Sequence, residues 1–435
     1  MICRHCMELV SNTFMDLGFA PPSNAYLSEK QLSQPEQYFP LKVKVCTNCW
    51  LVQTEDYAQA QDLFSPDYAY FSSTSTTWLE HAKAYVRRMT EDLRLDSASL
   101  VIEIASNDGY LLKNFVEAKI PCVGIEPASD TAAASKKLGI PVIEEFFSEA
   151  LGQKLSEDGS KADLIIGNNV FAHVPDINDF TKGLKLALKP QGTVTLEFPH
   201  LMELVAHTQF DTIYHEHFSY LSLYTVSRIF TSFGLRIWHA EKLPTHGGSL
   251  RVFGCHENDP RGYTAEYAAI MEEEAQRGLQ TLEPYLDFQG RANQIKDNLL
   301  SFLLDKKRLG ARVVAYGAAA KGNTILNFAG VKVDLLPVVY DAAPSKQNMF
   351  LPGSHIPIRH PSAIVGTDPD YILILPWNIA DEVRSALKGW SRKPAYSSPM
   401  PEDRNLYDQH CPLRKAFDHR ARNRICSRRR RERLG

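Results

Sequence analysis

The sequence predicts an α/β protein with a doubly wound parallel sheet at its centre and a second, smaller sheet of the same kind after it. Three observations carry this. Short apolar runs (Leu100-Val-Ile-Glu-Ile104, Cys122-Val-Gly-Ile125, Asp163-Leu-Ile-Ile166, Thr193-Val-Thr-Leu196) recur with helix-length segments between them. That alternation is what a parallel sheet covered on both faces requires, because each parallel crossover needs a helix. The pattern returns at Arg312-Val-Val-Ala-Tyr316, Leu335-Leu-Pro-Val-Val-Tyr340 and Tyr371-Ile-Leu-Ile-Leu375. The first stretch of chain follows neither rhythm and carries two Cys-x-x-Cys pairs instead, Cys3/Cys6 and Cys46/Cys49.

In chain order, the two pairs come first. Each places two thiols on one tight turn, and two such turns together make four soft ligands in a tetrahedron, the closed structural site of Zn²⁺. Four thiolates leave no open coordination position, so one structural zinc ion is expected, without chemistry of its own. Leu41-Lys-Val-Lys-Val45 alternates as a strand, and Trp50-Leu-Val52 supplies apolar packing. Residues 1–65 are therefore expected to form a zinc-binding domain. Asp67-Tyr-Ala-Tyr-Phe-Ser-Ser-Thr-Ser75 is aromatic and hydroxyl-rich; Trp78, Leu79, Ala82, Tyr85, Val86 and Met89 then recur at helical spacing. The central domain is placed at 66–262, with a helix from about Tyr110 and with Gly248-Ser-Leu-Arg-Val-Phe253 as an edge or antiparallel strand. Glu-, Ala-, Leu- and Lys-rich sequence over 264–310 reads as long helices, and 263–390 as a helical linker plus a Rossmann-like domain. Trp377-Asn378 looks ordinary. From 391 to 435 periodicity fails and the chain ends in a basic run, Arg428-Arg-Arg-Arg431, read as a solvated, disordered tail rather than a nucleic-acid signal.

Bulk composition narrows the function. The 435 residues suffice for two or three domains with real cores. Lys plus Arg number 48 against 51 Asp plus Glu, a net charge of −3, which gives no reason to expect nucleic acid or a membrane surface as partner. The opening MICRHCMELV puts metal ligands where a secretory leader has its apolar core, and no apolar run approaches the roughly 20 residues of a membrane span. Eight Cys, four of them assigned to metal, fit a reducing, cytoplasmic location. Oligomeric state is left open, a monomer included.

Val101-Ile-Glu-Ile-Ala-Ser-Asn-Asp-Gly109 is the central motif. Glu103 lies inside the strand, Ala105 and Asn107 in the turn, and Gly109 closes it, where a missing side chain lets backbone approach a ligand. The following helix start presents amide donors to a carboxylate. The next strand ends in Glu126-Pro127, where a carboxylate can accept both ribose hydroxyls of an adenosine. There is no G-x-G-x-x-G, so pyrophosphate binding is disfavoured; S-adenosylmethionine, which has no phosphate, needs no such loop. Asn168 and Asn169, ending a third strand, belong beside the sulfonium.

Tyr214-His215-Glu216-His217 is dense in titratable groups, and His173 and His246 fall on turns at the same expected rim of the sheet. His-x-His also fits a metal, but alternate residues give two ligands and no third completes them.

With these residues in hand, a resemblance is apparent. The Cys quartet, Tyr68-Ala-Tyr-Phe-Ser-Ser73, Glu103–Gly109, Asn168-Asn-Val-Phe-Ala-His-Val-Pro-Asp176, Tyr214–His217, His246-Gly-Gly-Ser-Leu-Arg251, Tyr316-Gly-Ala-Ala-Ala-Lys-Gly322 and Pro352-Gly-Ser-His-Ile-Pro357 together resemble the sugar C-methyltransferases, in order, from residue 1 to about 390. The resemblance implies a class I methyltransferase fold for the central domain and a C-terminal domain that helps hold a sugar nucleotide. It also implies S-adenosylmethionine-dependent C-methylation of a nucleotide-linked 4-keto-6-deoxy sugar, by deprotonation beside the ketone and enolate attack on the methyl. Carried over residue by residue, it implies His217 as general base and Tyr214 as base or oxyanion donor. Glu216 and His173 orient or bind the sugar. Tyr68 and Tyr70 close over substrate and methyl, and His215 and His246 face the substrate. Lys321 on the second glycine turn meets a phosphate, or that turn is a packing device. The tail departs from the family pattern. Two other readings remain: O- or N-methylation of another small acceptor, and a zinc-ribbon scaffold with a vestigial core. A dinucleotide oxidoreductase is weak, because 312–380 lacks the glycine fingerprint.

Overall fold

The computed structural model describes residues 1–57, 72–74, 76–387 and 395–397. Tyr68, Tyr70 and the tail from 398 onward lie outside them. Strands β1 (Asn12–Ala20), β2 (Phe39–Val45) and β3 (Val52–Thr54) form an antiparallel meander, closed by β9 (Ser219–Tyr220) from far along the chain. Leu41, Val43 and Val45 point alternately into the core, as the sequence pattern requires. β1 is not evident in the sequence because its register shifts twice against β2, between Thr13 and Met15 and between Asp16 and Phe19, which scrambles the two-residue alternation.

The central sheet has the order β10-β11-β8-β7-β4-β5-β6. Strands β4 (Val101–Ile104), β5 (Cys122–Ile125), β6 (Val142–Ile143), β7 (Ala162–Asn168) and β8 (Leu188–Pro199) are parallel; β11 (Ser249–His256) runs antiparallel to β8, and β10 (Leu235–Leu243), antiparallel to β11, points the same way as the other five. The 248–253 segment is thus antiparallel but interior, and β10 takes the edge. β10 carries Arg236, His239, Glu241 and Lys242, charge that keeps an edge from pairing further, and its bulge between Ile237 and His239 hides it from a periodicity search. After β4 the chain places β5 on one side and β7 on the other, so the strand order reverses between β4 and β7. That reversal opens a crevice at the carboxyl ends of these strands. The helix expected near Tyr110 spans Leu112–Glu117.

The third sheet, β14-β13-β12-β15-β16, is wholly parallel: β12 (Val313–Tyr316), β13 (Val339–Tyr340), β14 (Ile358–Arg359), β15 (Tyr371–Ile374) and β16 (Ala395–Ser397). β13 is shorter than the run 335–340 suggests, because Pro337 lacks the amide a ladder needs. β16 lies beyond 390, inside the stretch expected to be disordered, and its pairing with β15 extends the sheet to residue 397.

The three sheets share cores. One apolar cluster runs from Phe14 and Val43 through the long helix Phe288–Arg308 to Ile325, Val339 and Leu373. Phe14 packs on Phe288 at 4.3 Å and on Tyr285 at 5.7 Å between centroids. The fully buried Glu274 carboxylate accepts from His200 Nε2 (2.7 Å) and from the amides of Leu223 and Tyr224 (2.6 and 2.9 Å), tying the helix Ala265–Gln276 to the central sheet. No helix among the described residues is long and apolar enough to cross a membrane.

Helices Glu149–Glu157 and Ile177–Ala187 cross where two glycines meet: a Cβ on Gly152 falls 2.5 Å from the Gly183 carbonyl oxygen, and one on Gly183 falls 2.5 Å from that of Ser148. Both obstacles are backbone and cannot swing aside. Gly183→Ala should therefore lower stability by about 1–3 kcal/mol, read as an earlier midpoint in urea unfolding; an unchanged midpoint would show that the two helices can separate without loss.

Candidate active site

The four cysteines converge. Their Sγ atoms all lie within 4.8 Å of one another, with Cys3–Cys49 and Cys6–Cys46 at 3.5 Å. A tetrahedral ion with bonds of about 2.3 Å spaces its sulfurs at just under about 4 Å, so the quartet fits zinc. Gln53 Nε2 donates to Cys3 Sγ at 3.2 Å, a hydrogen bond that favours the thiolate a metal requires. Among the described residues no other group of three or more His, Cys, Asp or Glu has ligand spacing.

The cofactor crevice is built on the reversal between β4 and β7. Glu126, the residue after β5, is buried; its Oε2 accepts the Asn107 amide (2.9 Å) and its Oε1 the Ala128 amide (2.9 Å). Each oxygen keeps a lone pair for a ribose hydroxyl. Burial raises the Glu126 pKa and raises that of Glu103 further, with Glu126 and Asp108 adding like charge. Glu103 Oε2, Asp108 Oδ1, Asn168 Oδ1 and Asn169 Oδ1 are all buried acceptors without a hydrogen-bond partner among the described residues. Unpartnered buried acceptors are costly, and a ligand that brings hydroxyls, an ammonium and a sulfonium answers all four. The residues fit S-adenosylmethionine. Pro127 follows Glu126 and leads into the helix Ser129–Lys137.

Backbone strain marks the same place. Ala105 (φ 56°), Asn107 (φ 50°), Asn169 (φ 53°) and His246 (φ 55°) are in the left-handed region, which costs a non-glycine residue roughly 1–2 kcal/mol. Gly109 (φ 79°) is needed for a reason other than ligand approach: a Cβ there would strike Ile140 Cδ1 at 2.6 Å and Ser135 Oγ at 2.8 Å. The Asn107 amide, for its part, is already spent on Glu126.

The second cluster is the buried segment Phe210–His217. His217 Nδ1 lies 2.7 Å from the Thr212 carbonyl oxygen. A carbonyl can only accept, so Nδ1 carries the proton and Nε2 holds the lone pair. Nε2 has no partner among the described residues. Burial drives the His217 pKa well below its ordinary value, helped by His173, Lys321 and His246. The ring lies 4.0 Å from that of Tyr214 and 4.6 Å from that of His173. His173 Nδ1 donates to the Glu216 carbonyl (2.8 Å), and burial pushes its pKa down to about 4. Both Glu216 oxygens accept from Asn24 Nδ2 at 2.9 Å. His246 Nε2 lies 3.3 Å from Asn169 Nδ2, and its ring meets Trp78 edge-on at 5.4 Å, joining the two clusters.

The structure adds to the sequence expectation at three residues. His215 does not join His217: its ring packs edge-on against Phe39 of the first sheet at 5.9 Å, because a turn at 215–216, closed by the His217 amide donating to the Tyr214 carbonyl, breaks the alternation that would set the two rings on one face. Trp377 is far from ordinary: its indole N–H donates to Asp211 Oδ2 at 2.7 Å. Lys321 sits 4.8 Å from the Trp377 ring centroid and donates to Asn378 Oδ1 at 2.9 Å. Asn24, Asp211 and Trp377 carry no local motif and gain meaning only through contacts across 166 to 192 positions of sequence.

Two outcomes follow. Elemental analysis should find one zinc per chain in the parent and lose it in Cys49→Ser, since a closed site missing one thiolate holds its ion poorly; retained stoichiometric zinc in the variant would remove the site from the quartet. Glu126→Ala should weaken S-adenosylmethionine binding about 10- to 100-fold in calorimetric titration, the loss of hydrogen bonds to a charged acceptor, and an unchanged isotherm would move the ribose elsewhere.

Three family models match in register along the chain: "Putative zinc binding domain" over residues 3–64, "Methyltransferase domain" over 78–240 and "C-methyltransferase C-terminal domain" over 244–396. The curated C-methyltransferase NovU of Streptomyces niveus is 32% identical over 406 residues, which cover 92% of this chain and 96% of that protein. Among solved structures, the magnesium protoporphyrin IX methyltransferase ChlM of Synechocystis with bound SAM is 14% identical, with 41% of this chain and 79% of that one covered and a TM-score of 0.32. A SAM-dependent methyltransferase of Archaeoglobus fulgidus is 14% identical, with 40% and 93% covered and a TM-score of 0.34. At those scores the structural matches carry no argument. The length and identity of the first relative do: the chain belongs to the family of zinc-binding, S-adenosylmethionine-dependent C-methyltransferases.

Proposed function

We propose that this enzyme methylates a ring carbon beside the ketone of a nucleotide-linked 4-keto-6-deoxy sugar. A carbon has no lone pair to direct at a methyl group, so C-methylation needs a base to remove its proton and an electron sink to hold the pair; an adjacent ketone is that sink. The observation that carries the reading is His217, a neutral imidazole of fixed tautomer with an open Nε2. Bound S-adenosylmethionine supplies the electrophilic methyl. His217 Nε2 takes the proton, and the Thr212 carbonyl stabilises the imidazolium that results. Tyr214 walls the imidazole and donates toward the oxygen-bearing face of the sugar. His173 and the Asn24-held Glu216 form the opposite wall, and His246 links the sugar side to Asn169. Tyr68 and Tyr70 belong to the stretch outside the described residues and are assigned, by resemblance, to the cover of the site.

A nucleotide handle is supported by a repeated geometry. Asp341 follows β13 as Glu126 follows β5. Its Oδ2 accepts the Ala318 amide of the glycine turn (2.7 Å), and its Oδ1 accepts the amide two residues on, Ala343 (2.8 Å). The Glu126 carboxylate makes the same two contacts, to its own turn and to Ala128. Lys346 lies beside it, with Nζ donating to the Ala318 carbonyl (2.9 Å), as a cation for a phosphate. This is the physics of a second nucleoside cradle.

The test is deuterium wash-in at the carbon next to the ketone, followed by mass spectrometry without methyl donor. His217→Asn should lose wash-in and methyl transfer together, by about 10²–10⁴-fold, with S-adenosylhomocysteine affinity intact. Full activity in that variant would move the base to another residue. The pH profile has a defined sign. The base works unprotonated and its pKa is lowered, so kcat/KM should hold as pH falls past 6.5, the ordinary histidine value, and drop only below it. A limb at or above that value would contradict a buried neutral base.

A further inference from the structure

Proton removal leaves negative charge on the ketone oxygen, and the donor assigned to that face so far, the Tyr214 hydroxyl, is neutral. We propose that Lys321 is that group: its ammonium donates to the enolate oxygen, Asp211 balances its charge, and Trp377 is the plate that holds both. The proposal rests on the ketone reading above.

The geometry begins with the helix Ala320–Phe328. Thr324 Oγ1 donates to the Ile213 carbonyl at 2.9 Å, so this helix is docked on the segment that carries Asp211, Thr212 and His217. Lys321 lies three residues earlier, on the same helix face. Its Nζ donates to Asn378 and rests over the Trp377 ring, leaving two ammonium protons without a hydrogen-bond acceptor among the described residues. The Trp377 indole N–H is spent on Asp211 Oδ2; Asp211 is fully buried and its Oδ1 has no partner among the described residues. Trp377 also backs the turn that carries His246, since a Cβ on Gly247 would fall 2.2 Å from its ring. One indole therefore touches the base segment, the lysine and the His246 turn.

Charge separates this role from phosphate binding. The Lys321 field reaches both His217 and His246 and lowers their pKa values; it also restrains Asp211, which burial raises to about 6. A phosphate brought to this ammonium would arrive with its charge beside the Asp211 carboxylate. A ketone arrives neutral and becomes negative only as the proton leaves, so Lys321 interacts more strongly with the transition state than with the substrate. The step balances. The C–H pair becomes the C=C bond, the C=O π pair moves to oxygen, and the proton stays on His217 Nε2. When the carbonyl re-forms, the C=C pair makes the bond to the methyl carbon and the methyl–sulfur pair departs on sulfur. Lys321 keeps its protons throughout, and His217 later yields its own to water.

The experiment uses the full-length, zinc-loaded protein with thymidine and uridine diphosphates and their 4-keto-6-deoxyhexose conjugates as probes. Deuterium wash-in is measured at saturating sugar nucleotide without methyl donor; affinity for the free diphosphates is measured by calorimetry. Lys321→Met should cut wash-in roughly 100-fold, and Lys321→Gln, a neutral donor, by less. Diphosphate affinity should stay within about threefold of the parent, with S-adenosylhomocysteine affinity and zinc content confirming the fold. Wild-type wash-in in both variants with diphosphate affinity down about tenfold or more would make Lys321 a phosphate ligand and overturn the proposal. No wash-in by the parent with any of these sugars would instead overturn the ketone reading itself, and the proposal with it.

Discussion

A polar loop buried where three sheets meet must find partners for its donors and acceptors, and the segment Phe210–His217 finds them on all three. The first unit supplies Asn24 to Glu216 and Thr54, whose amide donates to the Phe218 carbonyl just beyond the loop at 3.1 Å. The central domain supplies His173 to the Glu216 carbonyl. The last unit supplies Trp377 to Asp211 and Thr324 to the Ile213 carbonyl. Each such group left unpaired in the interior costs about 1–3 kcal/mol, so the loop is held in shape only when the three units are together. The proposed base, its tautomer and its wall thus depend on a junction rather than on any one domain. A structural zinc ion would bear on that junction at a distance. It would pin the turn before β1 and the turn between β2 and β3, and Asn24 hangs from the chain between β1 and β2.

The two cradles extend the same logic to ligands. Glu126 and Asp341 each follow the second strand of a βαβ unit, accept an amide of their own glycine-bearing or glycine-like turn, and accept a second amide two residues on. One cradle opens on the strained turns at Ala105, Asn107 and Asn169. The other opens beside Lys346 and the helix that carries Lys321. A methyl donor in the first and a nucleotide in the second would bring their reacting ends over the loop between them, with proximity contributing much of the rate.

Much of this was legible in the sequence, and the boundary is physical. Parallel strands such as Val101–Ile104 and Ala162–Asn168 are buried on both faces, so they appear as unbroken apolar runs. β1 and β10 escaped notice because bulges break their alternation. Glu103, Glu126, His173 and His217 stood out because each sits in a compact local motif. Asp211, Trp377 and Asn24 stood out in nothing, because their partners lie far along the chain. Two placements have local reasons. Gly109 is conformationally necessary because the space beside it is filled by Ile140 and Ser135, and His215 packs on Phe39 because the turn at 215–216 breaks the alternation that would set it beside His217. The strand Ala395–Ser397 belongs to the last sheet although the sequence around it has no periodicity to announce it.

As the proposed base, His217 must be a neutral imidazole with its proton on Nδ1. Long-range nitrogen–proton NMR spectra of histidine-labelled protein, assigned by comparison with His217→Asn, read tautomer and pKa together. The account predicts an Nδ1–H tautomer at neutral pH that takes up a second proton only well below pH 6.5. An imidazolium at neutral pH, or a proton on Nε2, would contradict it.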